Sequence, residues 1–228
     1  MSGSMTRVFT VMAIILLLCI NIAGAVTFTE KHKKNIYLGV LLPYSTISGD
    51  FDATKYLVTT IGDYRIPDLD GAAGIGGVVG YSQMGEKFGF ATEMSYQRTS
   101  HDAAFLSWTG DATLHMISID VKGLYLSMPM QPYLLVGMAI PQLVVKDALM
   151  SASETDKITY KGYGLNLGGG INLFLHPNIC LNGSAVYRII NYSRAKISLG
   201  EDDIPDGGLG GSGLSMNAGL IFYWPLTR

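Results

Sequence analysis

The feature that most constrains the fold is a long alternation of side-chain character between residues 162 and 175. One set of alternate positions is apolar or small: Tyr163, Leu165, Leu167, Gly169, Ile171, Leu173 and Leu175. The other set is mostly small or polar: Gly162, Gly164, Asn166, Gly168, Gly170, Asn172 and Phe174. A period of two residues is that of a β-strand, whose successive side chains point to opposite faces. The pattern predicts one face against hydrocarbon and one face towards a polar or crowded interior.

This strand is followed by the turn signal His176-Pro177-Asn178 and by a second alternating run that begins at Leu181. Together they predict a β-hairpin. Soluble β-sandwiches contain hairpins of the same kind, so the hairpin by itself leaves both classes of fold open.

The chain contains eight alternating segments, near residues 36–46, 71–83, 87–98, 112–126, 132–146, 158–175, 180–197 and 212–225. Short connections at 83–87, 127–131 and 176–178 alternate with long polar connections at 47–70, 99–111, 147–157 and 198–211. Short turns at one end and long loops at the other are typical of a transmembrane barrel, with the short turns in the periplasm. A soluble Greek-key sandwich has no reason to keep this order. The sequence therefore predicts an all-β fold, an eight-stranded antiparallel up-and-down transmembrane β-barrel.

Charged residues within these segments follow the predicted faces. Glu93, Asp120, Lys122 and Arg188 all fall on the polar face of their segments. A Lys or Arg that faces lipid near the bilayer midplane costs about 2–4 kcal/mol. We therefore expect these four residues to form a charge network in the barrel interior that fills a narrow space; the alternative is a proton path or a catalytic set. The segment 36–46 gives no preferred face, because both of its faces are apolar.

Aromatic residues concentrate towards the segment ends, where two membrane-interface girdles are expected. The set comprises Phe88, Tyr96, Tyr125, Tyr133, Tyr160, Tyr163, Phe174, Tyr192, Phe222 and Trp224.

Residues 1–25 have the features of an export signal: Arg7, an apolar run of thirteen residues from Val8 to Ile20, and the small-residue site Ala23-Gly24-Ala25. We predict cleavage after Ala25 and a barrel domain over residues 26–228. A retained membrane anchor is an alternative, although the run is short for a spanning helix. A lipoprotein signal at Cys19 is a second alternative, although a leucine precedes that cysteine.

Composition excludes several classes of protein. The net charge is −2, only 15% of residues are charged, and no basic stripe occurs, so we expect no nucleic-acid partner. Cleavage would leave Cys180 as the single cysteine, which cannot form an intrachain disulfide. Since no neighbouring residue is placed to activate its thiol, Cys180 is interpreted as a small filler residue. No cofactor is expected.

Three stretches carry a resemblance to a known family: GYGLNLGGG at residues 162–170, PYLLVG at 132–137 and AVYR at 185–188. They resemble strands of the OmpA/OmpX-like outer-membrane β-barrel superfamily of Gram-negative bacteria, nearest to its barrel-only members. The resemblance implies an outer-membrane location, contact with outer-membrane lipid or lipopolysaccharide, and insertion by the barrel-assembly machinery. Family members commonly end in an aromatic residue that this machinery reads, whereas this chain ends in Arg228.

The function expected from these features is that of a non-enzymatic anchor. Its extracellular loops would meet an external ligand or host surface, or support envelope integrity. A narrow channel for small or apolar solutes is an alternative, because interior glycines could line a cavity.

A lipid A-modifying enzyme is a further alternative, built on His115 and Ser118 with Glu93 on a neighbouring strand. Residues three apart on a strand point to opposite faces, so His115 and Ser118 share a site only if a bulge intervenes. His101 and Asp102 are expected in a solvated loop.

The acidic residues Glu201, Asp202, Asp203 and Asp206 could bind a divalent cation, but they lack the spacing of a calcium loop. No metal site is assigned to them.

Overall fold

The computed structural model describes residues 34–53, 56–59, 62–105, 109–126, 130–146, 157–197, 200–204 and 208–226. The predicted signal sequence and its cleavage site lie outside these ranges. None of the described residues forms a helix that is long and apolar enough to cross a membrane.

The described residues form thirteen β-strands, numbered in chain order. They are β1 (Lys34–Ser45), β2 (Tyr56–Thr59), β3 (Gly62–Arg65), β4 (Asp68–Leu69), β5 (Ala72–Met84), β6 (Phe88–Ala104), β7 (Thr109–Tyr125), β8 (Met130–Lys146), β9 (Lys157–His176), β10 (Ile179–Ile197), β11 (Gly200–Asp203), β12 (Leu209–Gly210) and β13 (Gly213–Pro225).

Eight of these strands close into a ring in the order β1-β5-β6-β7-β8-β9-β10-β13, and every neighbouring pair is antiparallel. The last strand pairs with the first, from Asn35 opposite Pro225 to Ser45 opposite Ser215. Consecutive barrel strands are therefore neighbours in space, and the predicted eight-stranded up-and-down barrel is confirmed.

Strands β6 to β10 are longer than a membrane requires. They contain 17, 17, 17, 20 and 19 residues, whereas β1, β5 and β13 contain 12, 13 and 13. A tilted strand crosses the hydrocarbon layer with about 9–11 residues. Because the turns at the other end are short, the extra residues lie at the long-loop end. There the wall formed by β6 to β10 extends beyond the membrane.

The predicted loop at 99–111 is therefore wrong. Strand β6 continues to Ala104 and β7 begins at Thr109, with His101 opposite Ala112 in register. His101, expected in a solvated loop, is buried, while Asp102 is exposed. In this stretch polar side chains such as Asp102 face outward and apolar side chains such as Ala103 face inward. The outer face of the wall meets water above the membrane and no longer needs apolar side chains.

The two longest loops contain strands of their own. Strand β4 pairs with β6, and β11 and β12 pair with β10. Strands β2 and β3 form a separate two-stranded sheet. The loops at 47–70 and 198–211 therefore return to the barrel wall.

Side chains alternate between the two faces of the wall as predicted in most segments. Leu134, at 77% exposure, faces outward, and its neighbour Tyr133 is buried. The ambiguous first segment is resolved: Ile36 and Leu38 face outward, and Tyr37 faces the lumen. Leu173, predicted to contact lipid, is buried, and Met130 and Leu181 flank it in register on the two neighbouring strands.

The aromatic girdles are confirmed in part. Exposed rings lie at the turn end of the barrel, where Phe88 contacts Tyr125 with ring centres 5.5 Å apart and Phe222 contacts Trp224. Tyr96 and Tyr163 are exposed nearer the loop end. Four rings predicted for the girdles are instead buried, because they occupy inward positions: Tyr133, Tyr160, Phe174 and Tyr192.

Two interior glycines accommodate the tyrosines of the lumen. A Cβ atom added at Gly170 would lie 2.5 Å from the hydroxyl oxygen of Tyr133, and one added at Gly80 would meet the ring of Tyr37. Each glycine is the register partner of its tyrosine on the neighbouring strand, so the absence of a side chain there allows the ring to lie over that strand.

We predict that Gly170→Ala lowers the free energy of unfolding by about 1–3 kcal/mol, the usual cost of overpacking an interior. Gly123→Ala is the matched control, because an added Cβ there meets nothing within 4 Å. Urea unfolding of the barrel refolded in lipid vesicles measures both values. Equal stability of the two variants would contradict the close packing of Gly170 against Tyr133 and the Gly183 carbonyl oxygen.

Candidate functional site

The barrel lumen is divided into three layers along its axis. An apolar cluster, the outer plug, fills the long-loop end, and a second apolar cluster, the inner plug, fills the turn end. Between them lies a layer of buried polar and charged side chains, the polar belt, which includes Glu93, Asp120, Lys122 and Arg188. The polar belt is the candidate site.

The outer plug combines strand and loop residues. The loops contribute Ile47, Phe51, Ile66, Phe105 and Ile204, all of which are buried. Loop residues therefore fold back into the mouth of the barrel.

Phe51 packs this plug against two tyrosines of the barrel wall. Its ring packs edge-on against Tyr160 and Tyr192, with ring centres 5.8 Å and 5.5 Å apart. Aromatic rings in such T-shaped contact stabilise one another by about 0.5–1.5 kcal/mol beyond their burial. The first long loop thus contributes directly to closing the lumen.

The inner plug is also rich in aromatic residues. The ring of Tyr223 lies 5.1 Å from that of Tyr37 and 5.1 Å from that of Phe174, measured between centres. Cys180, interpreted from the sequence as a filler, lies in this cluster as a buried free cysteine. These side chains occupy the lumen at the turn end.

One ion pair lies in the polar belt. Lys122 Nζ is 2.7 Å from Glu93 Oε2, and both side chains are almost fully buried. The Tyr37 hydroxyl donates a hydrogen bond of 3.0 Å to the same carboxylate oxygen. The Lys122 ammonium also lies 4.5 Å from the ring centre of Tyr133, within range of a cation–π interaction.

The other two charged residues bind amides. Asn166 Nδ2 donates to Asp120 Oδ1 at 2.8 Å, and Arg188 Nη2 donates to Gln97 Oε1 at 2.8 Å. Neither Asp120 nor Arg188 forms an ion pair with another of the described residues. The structure thus places all four predicted residues inside the lumen but pairs only Glu93 and Lys122 directly.

Several polar belt residues escaped the sequence reasoning. Asn182 donates hydrogen bonds of 2.9 Å to the Tyr133 hydroxyl and 2.8 Å to Asn172, and Asn217 donates one of 3.1 Å to Ser184. These residues occupy the same inward positions as the four charges. The alternation of the sequence therefore predicts that Asn182 and Asn217 face the lumen, but it does not predict their hydrogen-bond partners.

The polar belt encloses a small cavity. Its volume is about 20 Å³, and its lining includes Glu93, Asp120, Lys122, Asn166 and Arg188. A space of this size holds about one water molecule. The arrangement can solvate and neutralise buried charges, but it has no room for an organic solute.

The residues of the enzyme alternative do not come together. His115 lies on the outer face, where Nδ1 is 2.8 Å from the Tyr96 hydroxyl, whereas Ser118 is buried in the lumen. Strands β6 and β7 pair without a register shift, so no bulge brings His115 and Ser118 to one face.

The acidic stretch Glu201–Asp203 forms β11, but its side chains and Asp206 lie outside what the structure describes. Among the described residues, no group of three or more His, Cys, Asp or Glu is placed to hold a metal ion.

A second polar cluster lies at the loop end, above the lipid-facing band. His101 Nδ1 is 2.7 Å from the carbonyl oxygen of Asp70, to which it donates, and Nε2 is 2.8 Å from Thr99 Oγ1. Burial lowers the pKa of His101, although the Asp70 carbonyl and the charge of Asp102 act in the opposite direction. Neutral His101 thus ties the end of the first long loop to β6.

An eight-stranded antiparallel barrel with an apolar outer band and a closed polar interior defines a class of protein: the transmembrane barrels of the outer membrane. Residues 13–222 match the family model described as outer membrane protein beta-barrel domain. The chain belongs to this family and is a membrane-anchored barrel protein of the outer membrane. No curated protein sequence matches the chain.

Solved outer-membrane barrels are similar to this chain at low identity. Neisserial surface protein A is 16% identical, with 83% of this chain and 97% of that chain covered and a TM-score of 0.46. The attachment invasion locus protein Ail of Yersinia pestis is 12% identical, with 86% and 100% covered and a TM-score of 0.47. OprG of Pseudomonas aeruginosa is 16% identical, with 86% and 97% covered and a TM-score of 0.46.

We predict that removing one partner of the buried ion pair is costly and that removing both is much less so. Glu93→Gln or Lys122→Met should each lower the free energy of unfolding by about 3–5 kcal/mol, because the remaining charge stays buried and unpaired. The double variant Glu93→Gln/Lys122→Met should recover a large part of that loss. Urea unfolding in vesicles measures all three, and strictly additive losses would contradict the pairing.

We predict a pH dependence that originates at His101. Because burial lowers its pKa in the folded state, the unfolded state binds more protons once the pH falls below about 6.5. The free energy of unfolding should therefore decrease between pH 7.5 and pH 5, and His101→Gln should reduce this decrease. Urea midpoints of both proteins at the two pH values test this, and identical pH slopes would disprove it.

Proposed function

We propose that the protein is a non-enzymatic outer-membrane anchor that displays its long loops at the cell surface. There the loops meet an extracellular ligand or a host surface, or support the integrity of the envelope. The observation that carries the proposal is the three-layered lumen: an apolar cluster lies at each end, and the middle holds four charged residues whose formal charges sum to zero.

In this proposal Glu93, Asp120, Lys122 and Arg188 have a structural role. Their formal charges sum to zero, and each has a polar partner at hydrogen-bond distance. An eight-stranded barrel has an interior just wide enough to be filled by side chains. A neutral polar filling lets such a lumen exclude solutes without leaving an uncompensated charge.

The closed lumen favours the anchor over a narrow channel. A permeating solute would have to displace Phe51, Tyr160 and Tyr192 at one end and Tyr37, Phe174 and Tyr223 at the other. The separation of His115 from Ser118 likewise favours the anchor over a lipid A-modifying enzyme. Signal cleavage after Ala25 and insertion by the barrel-assembly machinery stay predictions.

Two of the long loops contribute both to the cell-surface end and to the outer plug, so changing them would alter two properties at once. The loop at 47–70 supplies Phe51 and Ile66 to the outer plug, and the loop at 198–211 supplies Ile204 and Leu209. Shortening either would also open the lumen. The loop at 147–156 lies outside the described residues, and none of the described members of the outer plug comes from it.

The test uses cells that lack the protein, complemented with the wild type or with a variant whose residues 148–155 are replaced by Gly and Ser at equal length. A matched control carries Pro177→Ala and Asn178→Gly in the short turn at the opposite end. Adhesion to host cells and growth in the presence of detergent are the readouts. Altered gel migration on heating shows that each barrel is folded.

We expect the loop variant to fold but to lose the surface phenotype, and the turn control to retain it. A folded loop variant that behaves like the wild type in both assays would count against loop display at 147–156. In planar bilayers the wild type should produce no stepwise conductance. Regular conductance steps would instead favour the channel.

A further inference from the structure

A group of basic residues lies on the outer face of the wall that extends beyond the membrane. The cationic patch comprises Lys146 on β8, Lys157 and Lys161 on β9, and Arg194 and Lys196 on β10. All are exposed except Lys161, which is half-buried. Three adjacent strands thus present five cations on one surface.

Strand register brings these cations side by side. Lys146 lies directly opposite Lys157, and Lys161 lies opposite Arg194. Lys196 lies opposite Thr159, one outward position above Lys161. Directly opposite residues on neighbouring strands have Cβ atoms about 4.5–5.5 Å apart, and like charges placed there destabilise a sheet.

Acidic residues of the chain lie opposite some of these cations in the strand register. In register, Asp203 of β11 is opposite Arg194 and Glu201 is opposite Lys196. On β7, exposed Asp111 lies one residue beyond the last β7–β8 pair, Ala112 with Val145. Lys146 and Lys157 nevertheless form no ion pair in the described part of the chain. An anion bound between these two lysines would therefore be stabilised by both of them; the connection at 147–156, which carries Asp147, Glu154 and Asp156, lies outside the described residues.

The height of the patch indicates where that anion lies. Tyr163, which is 59% exposed, marks the loop-end edge of the lipid-facing band on β9, and Ile140 lies near the same level on β8. With a strand rise of about 3.3 Å per residue, Lys161 lies roughly 7 Å and Lys157 roughly 20 Å further along β9. Because barrel strands tilt by about 35–45°, these positions lie about 5 Å and 15 Å above that edge, and a lysine side chain can extend several ångströms down towards the headgroups.

The patch is local and does not belong to a uniformly basic collar. At the same end of the barrel, the outer face around β4, β6 and β7 carries exposed acidic residues: Asp68, Asp70, Asp102 and Asp111. The chain as a whole has a net charge of −2. Strand β6 also carries exposed Arg98, so among the described residues it is the concentration of cations, and not their presence, that distinguishes β8, β9 and β10.

We propose that the cationic patch binds the phosphate groups of lipid A in the outer leaflet. The proposal goes beyond loop display, because it assigns a lipid site to the barrel wall. Phosphate is a compact anion that can lie between Lys146 and Lys157 and relieve their repulsion. The acyl chains of the same lipid can then pack on the apolar band below, against residues such as Ile140, Tyr163 and Leu165.

The test compares two double variants of the full-length protein in neutral detergent. Lys146→Gln/Lys157→Gln removes the opposed pair. Lys34→Gln/Lys87→Gln removes two exposed lysines from the turn end and serves as the charge-matched control. Fluorescence anisotropy of labelled diphosphorylated lipid A measures binding at low and high salt.

We expect Lys146→Gln/Lys157→Gln to weaken lipid A binding about 25-fold, because each lysine near an anionic surface contributes about fivefold. The control should bind lipid A like the wild type, and high salt should weaken lipid A binding by both proteins. Migration that shifts on heating establishes that both variants are folded barrels, so a failure of the barrel is distinguished from a failure of this site.

Two further lipids set the limits of the proposal. Dephosphorylated lipid A should bind the wild type as weakly as it binds the patch variant. Equal binding of phosphorylated and dephosphorylated lipid A would overturn the proposal, as would equal loss in the turn-end control. Phosphatidylglycerol that binds as tightly as lipid A would overturn the assignment to lipid A.

Discussion

Closure of the ring is the constraint on which the rest of this structure depends. In hydrocarbon, each unpaired backbone amide or carbonyl costs several kcal/mol, so a sheet survives there only without edges. The pairing of β1 with β13 removes the last two edges. It also encloses a lumen that, with eight strands, is only wide enough for side chains. Interior tyrosines opposite glycines, such as Tyr133 over Gly170, follow from that narrowness.

The same constraint explains the layered interior. Charges are tolerated in the lumen only where partners surround them, and Glu93 and Lys122 meet this condition in the middle of the barrel. Apolar rings on both sides seal the belt from water, and the first long loop adds Phe51 to that seal. Under the proposed function, display of the loop at 47–70 and closure of the lumen are linked, because Phe51 belongs to that loop.

Positions that a single strand fixes follow from the sequence, whereas contacts that depend on neighbouring strands do not. The inward position of Arg188 follows from the period of its own strand, but its partner Gln97 lies 91 residues away and could not be inferred. Tyr160 and Tyr192 were expected in a girdle because aromatic rings suit both an interface and a crowded interior. His101 was placed in a loop because its strand alternates differently once it leaves the membrane.

The sequence by itself determined the number of barrel strands, the short turns at one end, and the face of each strand with a clear polarity contrast. These properties depend on a period of two residues and on the choice between lipid and lumen, both of which act along a single strand. Tertiary structure alone decided which face of the first segment points inward, that Phe51 enters the lumen, and that Lys146 meets Lys157. Each of these depends on which strands become neighbours when the ring closes.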